Sequence, residues 1–149
     1  MRELACGKAS LIAMSWLLII GCSATGPETF PVDAFLATID VDGAPIVSVP
    51  GQILVGRDFE VAVVTYGDSG CHRMGPTHVT IDGSHALIRP FNRPNGHPFC
   101  SDHAQVLEHV ANVRFDSPGS GVVTVRGWSS IERDTIEVAK EVEIKPVAN

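Results

Sequence analysis

Apolar and polar residues alternate over short runs along most of this chain, and Gly, Pro, Asn and Asp collect between the runs. A period of two puts successive side chains on opposite faces of an extended strand, so each run buries one face and stops at a turn. The pattern predicts strands over 35–41, 45–49, 59–66, 77–81, 85–89, 110–115, 121–128 and 136–144. Turn signals separate them at Asp42-Gly43, Val55-Gly56-Arg57-Asp58, Asp82-Gly83, Pro94-Asn95-Gly96 and Ser117-Pro118-Gly119. Many short strands rich in Val, Ile and Thr indicate an all-β sandwich or barrel.

Within that pattern the sharpest local expectation is a hairpin turning at Asp82-Gly83, which pairs Ile81 with Ser84, Thr80 with His85, Val79 with Ala86 and His78 with Leu87. Val79, Ile81, Ala86 and Ile88 then share the core face, and His78, Thr80, His85 and Arg89 the other. Ala111, Val113 and Phe115 face one side of their strand; Ile136, Val138, Val142 and Ile144 face one side of the last. Lys140 falls in that inward row, which predicts a bulge or an edge position.

The first 30 residues follow another logic. Arg2 and Lys8 precede an uncharged apolar run over 9–20 that ends at Gly21-Cys22, the charged, apolar, small-residue order of a secretion signal. The run has about a dozen residues against the roughly 20 a membrane-spanning helix needs. It is apolar on every face and has no cap, which argues against a buried N-terminal helix. Ile19-Ile20-Gly21-Cys22 resembles the bacterial lipobox. That resemblance implies a cleaved signal over 1–21 and a diacylglycerol on the Cys22 thiol, with the new amino terminus acylated too. Two or more chains anchor stably where one holds only marginally. Small polar residues then make 22–31 a tether, and 32–149 is one domain. Ser23, rather than Asp, implies by the enterobacterial sorting rule an outer-membrane destination within the cell envelope.

Removing Arg2, Lys8 and Glu3 with the signal leaves 9 of the 11 Lys and Arg against 16 of the 17 Asp and Glu, a formal charge of −7. So acidic a domain has no general attraction for phosphate backbones, and nucleic acid is not an expected partner. The expected partners are the bilayer, through the Cys22 anchor, and an envelope protein or polysaccharide.

Val113-Arg114-Phe115, Ser117-Pro118-Gly119 and 122–127 together resemble the strand, turn and strand near the end of bacterial immunoglobulin-like domains. Upstream, Pro50-Gly51-Gln52, Val55-Gly56 and Phe59-Glu60-Val61 resemble their first strands. The resemblance covers most of the mature chain and implies an immunoglobulin-like antiparallel β-sandwich of the exported type, with no implied activity. Of four cysteines, Cys6 leaves with the signal and Cys22 carries lipid, so Cys71 and Cys100 remain as a pair in an oxidising compartment. A disulfide between them closes a loop of about 30 residues, worth roughly 3 to 4 kcal/mol in the chain-entropy model.

All six histidines lie between His72 and His109. Zinc needs three or four converging ligands, and a bridge would draw His72, His97 and His103, which flank the cysteines, into one neighbourhood. An envelope lipoprotein binding zinc or copper through these three is the alternative function. The plainer reading makes the histidines loop and surface residues, with no metal or other cofactor, and no HxH or HExxH spacing opposes it.

Cys100-Ser101-Asp102-His103 resembles the Cys-x-x-His copper loop of cupredoxins, but Leu107 and Glu108 stand where a Met ligand belongs. Gly67-Asp68-Ser69-Gly70 resembles the nucleophile motif of trypsin-like proteases, yet every histidine follows Ser69 and the chain is too short for two barrels. A polar turn leading to Cys71 is the simpler reading there. Asp40 and Asp42 likewise read as a turn, having too few oxygens for calcium. The expected function is therefore a non-catalytic, membrane-tethered binding or structural module.

Overall fold

The computed structural model describes residues 33–147 except 42, 69, 97 and 102. The expected signal and tether, and with them Cys22, lie outside the described residues. Ten strands and no helix occur among the described residues: β1 (Phe35–Leu36), β2 (Thr38–Asp40), β3 (Val47–Ser48), β4 (Gln52–Leu54), β5 (Asp58–Asp68), β6 (His72–Asp82), β7 (His85–Pro94), β8 (Ala104–Arg114), β9 (Gly119–Ser129) and β10 (Asp134–Lys145). The fold is all-β and sandwich-like, with one disulfide and a sheet that does not close on itself.

One layer is built on β5, which pairs antiparallel with β8 along its whole length and with β3 on its other side. The second layer runs β6, β7, β9, β10, β4. Its hairpins β6–β7 and β9–β10 are antiparallel, whereas β7 lies parallel to β9 and β4 parallel to β10. The parallel neighbours arise because the chain leaves for the other layer between them, returning through β8 before β9 begins. The two layers are joined by β2, in which Thr38 pairs with both Tyr66 of β5 and Trp128 of β9.

The core lies between the layers. Phe59, Val61 and Val63 of β5 and Ala111, Val113 and Phe115 of and after β8 meet Ala86, Ile88, Val123, Val125, Val142 and Ile144 of the other layer. The alternation anticipated for β8 and β10 is thus the observed one. Ile39 is fully buried, and it fits because residue 127 has no side chain: a Cβ on Gly127 would lie 2.5 Å from the Ile39 Cγ2. Lys140 stands opposite Val123 in an unbroken ladder, and β4 flanks β10 only at 143–145. Lys140 is accordingly exposed at an edge, where a charge discourages further strand pairing.

The hairpin turns one residue later than expected. Asp82 pairs with His85, Ile81 with Ala86 and Val79 with Ile88, so Gly83-Ser84 is the two-residue loop. Gly83 has φ +60°, and Ser84 is not in the left-handed region. A loop with positive φ at its first central residue alone has the character of a type II′ turn, which favours glycine there and suits the twist of the flanking strands. The shift leaves the alternation of faces intact, because moving a two-residue loop by one changes each pairing by two, but Ile81, expected in the core, lies beyond it and is exposed.

Most of the long strands outrun their expected limits, β8 by six residues at its start, and two of the extensions run through proline. β7 continues through Pro94, past its expected end at 89 and up to the turn signal Pro94-Asn95-Gly96. Pro90 causes no break, since β9 pairs with β7 only as far as Ile88 and β1 begins pairing at Phe91, so its missing N–H falls between neighbours. Across β6, Gly75 and Pro76 together oppose Phe91 in a bulge, and a Cβ on Gly75 would lie 2.5 Å from the Phe91 carbonyl oxygen.

Gly127→Ala should lower stability by about 1 to 3 kcal/mol, as overpacking against a fully buried side chain does. Gly51→Ala, with nothing within 4 Å of the added Cβ, should stay within about 0.5 kcal/mol. Equilibrium urea unfolding of the two variants beside the parent checks the contrast.

Candidate functional site

β5, β7 and β9 end, and β6, β8 and β10 begin, at one end of the sandwich, and chemically diverse side chains gather there. Cys71 and Cys100 are disulfide-bonded, with Cα atoms 5.1 Å apart. The segments they join are tied further by Asn95, whose backbone N–H donates to the Cys71 carbonyl and whose Nδ2 donates to the Gly70 carbonyl at 3.2 Å. The described chain also enters here, with Asp33 3.9 Å from Arg93.

Beside the bridge a groove of about 300 Å3 is lined by Phe35, Thr38, Tyr66, Asp68, His72 and Ser130 among others. Phe35 comes from β1, Thr38 from β2, Tyr66 and Asp68 from the end of β5, His72 from the start of β6 and Ser130 from the turn after β9. The Phe35 ring stands edge-on to His72 with centroids 4.9 Å apart. The Asp68 backbone N–H donates to His72 Nδ1 at 2.9 Å, so that nitrogen keeps its lone pair and the ring carries its proton on Nε2. An apolar wall with a few convergent polar groups is the usual makeup of a small-ligand site.

Two larger grooves lie elsewhere. One of about 640 Å3 follows the β10 backbone near Pro118 and Pro146, and one of about 430 Å3 lies between Pro50 and Arg57. In the second, the Lys145 ammonium is already held by Gln52 Oε1 at 2.7 Å.

The other histidines are dispersed. His78 is half-buried and edge-on to Phe91 at 5.3 Å, and exposed His85 is hydrogen-bonded through Nε2 to Thr124 Oγ1 at 2.9 Å on the neighbouring strand. His103 is exposed, and His97 lies outside the described residues, so the His72, His97 and His103 trio is described only in part. Among the described residues no three His, Cys, Asp or Glu side chains gather as metal ligands would. Cys100 is engaged with Cys71 and so offers no thiolate for a cupredoxin-like site. Gly67 and Asp68 end β5, and Gly70, with φ +82°, turns the chain toward Cys71; Ser69 lies outside the described residues. The Asp40 carboxylate accepts from Ser129 Oγ at 3.2 Å and from the Gly43 N–H at 3.4 Å, which binds a turn together. Asp42 lies outside the described residues.

His109 departs from the expectation of a loop or surface residue, for it is wholly buried between the layers. Its Nε2 lies 3.1 Å from Asn92 Oδ1, an acceptor, which places the proton on Nε2. Nδ1, 2.9 Å from Thr77 Oγ1, therefore accepts from that hydroxyl. Asn92 is also fully buried and donates through Nδ2 to the Tyr66 carbonyl at 3.1 Å. Burial pulls the His109 imidazole down from its ordinary 6.5 to about 4. Nothing in the strand pattern marks this network, because His109 occupies an inward position between the outward Val110 and Glu108.

No protein-family model matches the chain, and no curated protein or solved structure matches it.

The neutral His109 ring makes a pH-dependent contribution. The unfolded chain takes up the proton near pH 6.5 and the folded one only near 4. The contribution is fully present above the unfolded value and is lost as pH falls toward the folded one. Unfolding free energy should fall by up to about 3 kcal/mol between pH 6.5 and 4 relative to His109→Gln, which does not titrate there. Denaturant curves of both proteins across that range check it.

Proposed function

We propose that the chain is an exported bacterial lipoprotein, anchored in the cell envelope through Cys22, whose immunoglobulin-like domain is a non-catalytic binding or structural module. The observation that carries the reading is the conjunction of a lipobox-like signal over 19–22 with a Cys71–Cys100 disulfide in the domain. Structural disulfides persist in oxidising compartments, and the signal supplies the route to one. The acidic domain suits an envelope protein or a polysaccharide better than a polyanion.

Asp33, where the described residues begin, lies beside Arg93 at the disulfide end, and the turns at Gly56, Gly83 and Gly119 lie at the opposite end.

Replacing Cys22 with Ala should abolish incorporation of labelled fatty acid and shift the protein out of the detergent phase in a phase-separation assay. A variant that keeps its acyl label and its membrane association would sink the lipoprotein reading.

A further inference from the structure

The groove beside the disulfide combines the rings of Phe35, Tyr66 and His72, the Asp68 carboxylate and the hydroxyls of Thr38, Tyr66 and Ser130, and neither Lys nor Arg lines it among the described residues. A groove for phosphate, sulfate or carboxylate would present cations or clustered N–H donors. Here the formal charge is the carboxylate of Asp68, whose side chain is 67% exposed. Its ion-pair-range neighbour among the described residues is His72 Nδ1 at 3.9 Å. That nitrogen cannot neutralise the carboxylate while it accepts the Asp68 N–H. Phe35 and Tyr66 supply aromatic surface within the same groove, and Phe35 is itself 37% exposed. Aromatic faces attract cations, most strongly alkylated ammonium ions, which are poorly hydrated and match both the apolar and the electrostatic character of the rings.

We propose that this groove binds an organic ammonium ion, with Phe35 and Tyr66 against its alkyl groups, Asp68 as counter-charge, Thr38 beside a polar substituent, and the Ser130 hydroxyl, whose proton goes to the Asp40 carbonyl, serving only as an acceptor. The assignment deepens the binding-module reading and rests on it, but it does not depend on the Cys22 anchor. A groove of about 300 Å3 accommodates a headgroup-sized cation and excludes a folded partner. Two sources offer the same chemistry, a free ammonium compound or the headgroup of phosphatidylethanolamine.

The test uses the full chain in an uncharged polyoxyethylene detergent, with choline as probe and saturation-transfer NMR of its N-methyl protons as readout. Choline should give a saturable signal, and its neutral carbon isostere, with tert-butyl in place of trimethylammonium, should bind at least about fivefold more weakly. Asp68→Asn and Phe35→Leu, each confirmed folded by its thermal transition, should weaken choline by about fivefold. If either variant fails to fold, the other and the isostere comparison decide. In reconstituted vesicles, suppression of the choline signal by phosphatidylethanolamine but not by phosphatidylglycerol assigns the site to the headgroup. Equal signals in both assign it to a soluble ammonium compound. Absence of saturable choline binding, equal binding of the isostere, or undiminished binding by folded Asp68→Asn would overturn the proposal. A neutral methyl glycoside that binds while choline does not would make the groove a saccharide site instead. None of these results bears on the acyl label at Cys22, so a failed groove and a failed anchor remain distinguishable.

Discussion

The crossing of β2 between the two layers holds this fold together. Thr38 stands in register with strands of both layers, the Ala37 carbonyl beside it accepts from the Trp128 N–H, Ile39 enters the notch left by Gly127, and Asp40 is gripped by Ser129 and Ser130 at the end of β9. Three successive residues thereby do three separate tasks: backbone pairing, core filling and turn capping. Each depends on the others, because a shift of one residue would present Thr38 or Asp40 to the notch that only an apolar side chain fills without an unsatisfied polar atom. The same crossing sets the candidate site, since Phe35, Thr38 and Ser130 reach the groove only while β2 stays in this register.

A sheet that does not close leaves edges, and the chain treats them differently. β6 carries Pro76 and the Gly75 bulge, which remove a donor and distort the ladder, while β10 carries Lys140 among acidic neighbours. Between β6 and β8 no strand ladder forms, and the layers are connected there through Thr77, His109 and Asn92. A hydrogen-bonded side-chain chain thus replaces backbone pairing along the open seam. Removing one member would leave the others buried without partners, so such a network specifies one arrangement of the two layers.

The all-β class, the inward rows of β8 and β10 and the disulfide were legible because period-two burial and cysteine pairing are local or countable signals, whereas the order of strands, set by long-range pairing, was not. The hairpin register was not, because Asp82-Gly83 and Gly83-Ser84 are both acceptable two-residue loops and only tertiary pairing with β9 separates them. The first half of β8 was obscured for a different reason. There Val106 and Val110 face solvent, at 63% and 49% exposure, while His109 faces the core, which inverts the code that the reading relies on. The groove was invisible as well, since its six named residues come from five separate elements with no common spacing.

His72 and His109 show how one residue type serves two ends. Both have a ring nitrogen committed as acceptor, His72 to a backbone N–H and His109 to a hydroxyl. The difference lies in the other nitrogen and in water. At His109 that nitrogen is also committed, to Asn92, and burial displaces the pKa. A strongly displaced pKa often marks a functional group, but here both ring nitrogens are occupied by neighbours and the ring is fully buried, so the shift measures burial in a structural network. His72, partly exposed at the groove, has its Nε2–H outside that commitment and its Nδ1 fixed by the turn into β6. The bond that orients the imidazole starts at the backbone N–H of Asp68, so one residue supplies both the carboxylate of the groove and the donor that fixes the ring four residues along the chain.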